Sequence, residues 1–74
     1  MARLESELAH LFGHDIAEQS KQLTIPEIFA YMDVIPFMVS RLSQLKGNTM
    51  KQRKYIKGLS KKKAKALCYW IREV

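Results

Sequence analysis

The chain has 74 residues, 47% apolar and 27% charged, with a formal net charge of +6. That length holds one small domain with a marginal core, and the composition excludes a disordered chain. The lone Cys68 excludes an internal disulfide, no stretch is apolar for long enough to cross a membrane, and the N-terminus lacks the basic-then-apolar pattern of a signal peptide.

In chain order, Leu4, Leu8, Leu11 and Phe12 recur at helical spacing, with Arg3, Glu5, Glu7 and His10 between them. This predicts an amphipathic helix over about residues 2–12. Two readings follow. Either Gly13 ends that helix and Asp15 caps a second segment carrying Ile16 and Leu23, or one long helix runs through Gly13 at a cost of about 1 kcal/mol. The segment is mildly acidic, so it is expected to face away from nucleic acid and to close its apolar stripe over the helix pair that follows at about residues 24–46. His10 and His14 stand at metal-ligand spacing, but only Asp15 and Glu18 lie near enough to complete a site. A surface pair is the favoured reading, with no metal and no cofactor.

The stretch Thr24 to Lys46, TIPEIFAYMDVIPFMVSRLSQLK, reads as two short helices joined by a tight corner. Thr24 followed by Glu27 is a capping box, and Pro26 sits in a first turn, where its missing N–H costs nothing. Asp33 is expected to cap the second helix, with Pro36 in its first turn, and Gly47 to stop it. Ile25, Ile28, Met32, Val34, Val39 and Leu42 supply the apolar contacts of a helix-turn-helix. The stretch resembles the helix-turn-helix core of bacterial winged-helix regulators, and VSRLSQLKG, Val39 to Gly47, resembles the end of their recognition helix. In such a motif the second helix lies in the major groove, and its outward positions here would be Ile35, Phe37, Ser40, Arg41 and Gln44. Arg41 can fork onto guanine, Gln44 can pair with adenine and Ser40 can meet a phosphate. The sequence departs from the pattern at Ile35, Pro36, Phe37 and Met38, where DNA readers usually carry small polar residues. Four apolar residues in a row fit burial by the N-terminal helix or a second subunit, or docking on another protein.

Lys46 to Gly58, KGNTMKQRKYIKG, has two readings. One is a short hairpin, with strands near 48–51 and 54–57, forming a basic wing. The other is a helix from Thr49 to Lys57, capped by Thr49 or Asn48. Lys46, Lys51, Arg53, Lys54 and Lys57 serve phosphate in either case. The run YIKGLSKKKAKAL, Tyr55 to Leu67, resembles the end of the wing and the start of the last helix in regulators of the multiple-antibiotic-resistance type, with Leu59 and Ser60 in place of that family's Leu-Thr pair. The wing would be compressed relative to that family's. Gly58-Leu59-Ser60 with Ala64 and Leu67 also resembles, more loosely, a helix-hairpin-helix, with Ser60 in place of the second glycine.

Ser60 is expected to cap a final helix from Lys61 to about Glu73. Its first turn holds Lys61, Lys62 and Lys63, with Lys65 just beyond, where the positive end of the helix dipole disfavours cations by up to about 0.3–1 kcal/mol each. No acid lies between Asp33 and Glu73. A polyanion would relieve that repulsion and accept the free N–H groups at the helix start. Ala64, Leu67, Cys68 and Ile71 form one apolar face, widened by Tyr69, Trp70 and Val74. A face that broad suits both a small core and a dimer seam.

Charge is divided along the chain. Residues 41–74 carry eleven lysines and arginines against the single acid Glu73, whereas residues 1–40 carry two bases against six acids. This points to one polyanion-facing half. The expectation is therefore a mostly α, small helix-turn-helix bundle, with or without a short β-hairpin wing, forming one domain over residues 1–74, with the helix-turn-helix at about 24–46 and the basic part at 47–74. It would act as a cytoplasmic DNA-binding transcriptional regulator, nucleoid-associated if bacterial. Double-stranded DNA is the favoured partner, with RNA and a homodimer also open. Ser40, Arg41, Gln44, Lys46, Lys51, Arg53, Lys54, Lys57, Lys61, Lys62, Lys63 and Lys65 would meet nucleic acid. The alternative is a protein-interaction module using Ile35, Phe37, Met38, Trp70 and Ile71, docked on a polymerase or another nucleic-acid-associated complex. The histidines, the cysteine and the serines form no nucleophile–base pattern, and no glycine-rich phosphate loop precedes a helix, so catalysis is not expected.

Overall fold

A computed structural model describes residues 2–73, with side chains described from Glu5 to Glu73. Leu4 and Val74, placed by the sequence on the two terminal apolar faces, lie outside the described side chains. Six helices follow one another: α1 (Ala2–Phe12), α2 (His14–Ser20), α3 (Ile25–Phe29), α4 (Ile35–Gln44), α5 (Thr49–Lys57) and α6 (Lys61–Glu73). Among the described residues there is no strand.

α6 is the centre of the packing. It lies against α1, α2 and α4, while α1 also packs on α2 and α5. Ala64, Ala66, Leu67 and Cys68 are its buried residues, and Ser60 starts it as the sequence predicts: the Lys63 amide donates to Ser60 Oγ at 3.2 Å. The rest of the core comes from Leu8 and Phe12 of α1, Ala17 of α2, Ile35, Met38 and Leu42 of α4, and Ile56 of α5. α1 therefore closes on α5 and α6 rather than over the α3–α4 pair.

Gly13 decides between one N-terminal helix and two. Its φ of 92° is a left-handed conformation that glycine adopts readily, so the chain turns there. Gly13 itself precedes α2, and Asp15 falls inside the first turn instead of capping it. For residues 48–57 the helix is the conformation present. The Lys51 amide donates to Asn48 Oδ1 at 3.1 Å, closing the start of α5. Gln52 Nε2 then donates to the Leu42 carbonyl at 3.1 Å and fastens α5 to α4.

The central pair departs from the expected packing. The Thr24–Glu27 capping box is complete in both directions. Yet α3 is five residues long and makes no extensive contact with any other helix. Ile25 is 67% exposed and Met32 is exposed too, so neither packs inside the pair. Ile28 and Tyr31 are half-buried, and Tyr31 and Val34 pack on the core. Asp33 does not cap α4. The preceding turn runs straight into the helix, with the Ile35 amide bonded to the Tyr31 carbonyl at 2.9 Å and the Met38 amide to the Val34 carbonyl at 3.1 Å. The donors that Asp33 would have served are already paired.

Candidate nucleic-acid interface

α4 has a clear inside and outside. Ile35, Met38 and Leu42 are buried at helical spacing, and Phe37, Ser40, Arg41 and Gln44 face solvent. Ile35, predicted to point outward and grouped with Met38 as a docking surface, is 1% exposed. Both residues are core, so of the apolar run only Pro36 and Phe37 remain at the surface, Phe37 at 77%. Arg41 Nη1 donates to Gln44 Oε1 at 3.2 Å, so the two expected base readers are adjacent, exposed and bonded to each other. Trp70 and Ile71 are half-buried at the margin of the core.

The cations of α5 point one way because of the helix period. Met50, Arg53, Lys54 and Lys57 stand three or four residues apart on the outer face, while Ile56 is buried and Gln52 and Tyr55 are half-buried. Three shallow grooves link this face to its neighbours. Arg41, Lys51 and Lys54 line the first, between α4 and α5, together with Leu45 and Tyr55. Met50, Arg53, Lys54 and Lys57 line the second. Arg53, Lys57 and Lys61 stand along the third, which reaches the start of α6. Each groove shares a cation with the next, so Arg41, Lys51, Lys54, Arg53, Lys57 and Lys61 form a continuous strip. No carboxylate lines any of the three. None of these six residues takes part in an ion pair among the described residues.

Other predicted residues fall off this strip. Lys46 and Lys63 are exposed and line none of its grooves. Lys62 and Lys65 lie within electrostatic reach of Glu27 on α3. Its carboxyl is held below the usual range mainly by the Thr24 hydroxyl and backbone N–H, and further by these two lysines. The α6 start is thus partly compensated through space, although no acid is close in sequence. Met50, 81% exposed among the cations, was not singled out by sequence. Its signal was the spacing 50, 53, 54, 57, which becomes legible once the segment is taken as a helix.

Arg72 belongs to the basic half but is used differently. Its Nε donates to Glu5 Oε1 at 3.0 Å, its Nη2 to the Ala17 carbonyl at 3.0 Å, and its Nη1 to Ser20 Oγ. Ser20 is fully buried and also donates to the Ala17 carbonyl at 2.7 Å. Lys21 bridges Glu5 and Glu18 at 3.2 and 3.3 Å. Hydrogen bonds from Lys21 and then Arg72 hold the Glu5 carboxyl below its ordinary range, and Glu5 and Glu18 raise Lys21. This network clamps α1, α2 and the end of α6. His10 and His14 line a groove beside it, and among the described residues no three metal-ligating side chains come together.

Compared with known protein families, characterised proteins and solved structures, the chain matches none. No helix among the described residues is long and apolar enough to cross a membrane.

Proposed function

We propose that this chain is a small DNA-binding protein, a transcriptional regulator that holds backbone phosphates with the strip from Arg41 to Lys61. The observation that carries this reading is the continuity of six exposed cations over three helices, with no acid among them. Like charges gathered this way repel one another, and a polyanion offsets that repulsion. α4 would be the helix laid against the duplex, without the support of a packed α3. Arg41 and Gln44 would exchange their mutual hydrogen bond for base edges. Duplex DNA is favoured over single-stranded RNA because Tyr55, Tyr69 and Trp70 are half-buried and offer no stacking platform. A fluorescence titration with duplex DNA tests the reading. If about six phosphates are neutralised, log affinity falls against log salt with a slope of about −5. A flat salt response overturns the proposal.

A second reading has its own observation. Ile25, Phe29 and Phe37 are large apolar side chains left 67, 66 and 77% exposed. They would dock a protein partner in the same nucleic-acid-associated setting. Phe37→Ser separates the readings: lost capture of a partner with intact DNA affinity favours this one, and weakened DNA affinity favours the first.

A further inference from the structure

The third groove of the strip is more than a row of charges. It occupies 280 Å³ between the C-terminal end of α1, α5 and the start of α6. Its walls are aliphatic, from Leu11, Ile16, Ile56 and Leu59, with buried Phe12 and Ala64 beneath. Its rim carries His10, Arg53, Lys57 and Lys61, all exposed. Leu59 and Lys61 also bring the positive end of the thirteen-residue α6 to the opening. Asp15 stands in an adjoining groove that shares Phe12, Gly13, Ile16 and Lys61.

This combination selects a class of ligand. A bare phosphate would leave the walls unused, and a neutral hydrocarbon would leave the rim unused. A nucleobase also fits poorly. No amide, hydroxyl or carboxylate side chain lines the groove to meet a base edge, and its one six-membered aromatic ring, Phe12, is 6% exposed. The volume lies at the small end of ligand sites. We propose that this groove binds a medium-chain aliphatic carboxylate, with the chain along the aliphatic walls and the head among Arg53, Lys57 and Lys61. The binding stands independently of DNA recognition. Where that reading also holds, an occupied groove withdraws three cations from the strip.

The test titrates the full chain with octanoate, octanol and acetate, without nucleic acid, following backbone amides by NMR. Octanoate is expected to bind saturably and to shift Gly13, Leu59 and Lys61, while acetate lacks the chain and octanol the charge. The double substitution Arg53→Gln and Lys57→Gln, on exposed residues, is expected to weaken octanoate by at least about tenfold, because charge-assisted hydrogen bonds are lost. Absence of saturation through roughly 10 mM octanoate overturns the proposal. So does equal binding of octanol, or an affinity unchanged in the double variant.

Discussion

Arg72 and Arg53 carry the same guanidinium in the same basic half, and their surroundings give them opposite uses. Arg72, with its side chain 12% exposed, is bonded to Glu5, Ser20 and the Ala17 carbonyl. Arg53 is exposed, and the charged side chains that share its grooves are other cations. One region spends its charge within the fold and the other presents it to solvent. A count of basic residues along the chain cannot separate them, since the separation is made by partners arriving from distant helices.

The contrast can be broken most forcefully at the clamp. Arg72→Met removes a part-buried cation, leaving Glu5 to Lys21 and Ser20 to the Ala17 carbonyl, so chemical unfolding is expected to show a loss of about 1.5–3 kcal/mol. A change below about 0.5 kcal/mol, the range of ordinary surface substitutions, would mean the clamp is ornamental. The complementary substitution pair, Arg53→Ala with Lys57→Ala, is expected to leave stability within about 0.5 kcal/mol. In DNA titrations the same pair should reduce the magnitude of the salt slope by about 2, with a matching loss of affinity at low salt. Unchanged DNA affinity would separate the strip from nucleic acid altogether.

Smaller effects sharpen the boundary between the regions. Ser60→Ala removes the cap where α6 leaves the strip and should cost about 1 kcal/mol in thermal or denaturant unfolding. Gln52→Ala removes one part-buried hydrogen bond to the Leu42 carbonyl and should cost about 0.5–1.5 kcal/mol. The mildest effect is one of pH. Because the fold lowers the Glu5 pKa, its contribution is complete above the ordinary glutamate value of about 4.3 and is lost as pH falls through the folded value. Glu5→Gln should therefore melt below the native protein at pH 7 and converge with it in acid. A constant gap across that range would show that the carboxylate's ionisation is not what stabilises the clamp.

The features legible in the sequence were the locally determined ones. Thr24 with Glu27, Ser60 before a helical run, and Ala64, Leu67 and Cys68 on α6 each depend on residues within a turn or two, and each stands where the pattern placed it, whereas buried Ala66 was not on the expected face and Ile71 is only half-buried. The mostly helical bundle followed from the same periodicity. The phase of α4 was harder, because Ile35 to Met38 are all apolar and the run conceals which residues turn inward. The spacing of Ile35, Met38 and Leu42 held the answer. The clamp lay beyond sequence reading: Arg72 meets Glu5 and Ser20 across 67 and 52 positions, and no local rule couples them. The strip was half legible. Its lysines were visible as charge, but their order across α4, α5 and α6 depended on residues 49–57 being helix and not hairpin.

Cys68 turns the clamp region into its own reporter. The thiol is fully buried beside Ser20, and burial pushes its pKa up. An alkylating reagent therefore reacts only when the packing around α6 opens, since it needs both access and a thiolate. The speed of labelling in the native protein measures how often that packing opens, a clock already present in the chain.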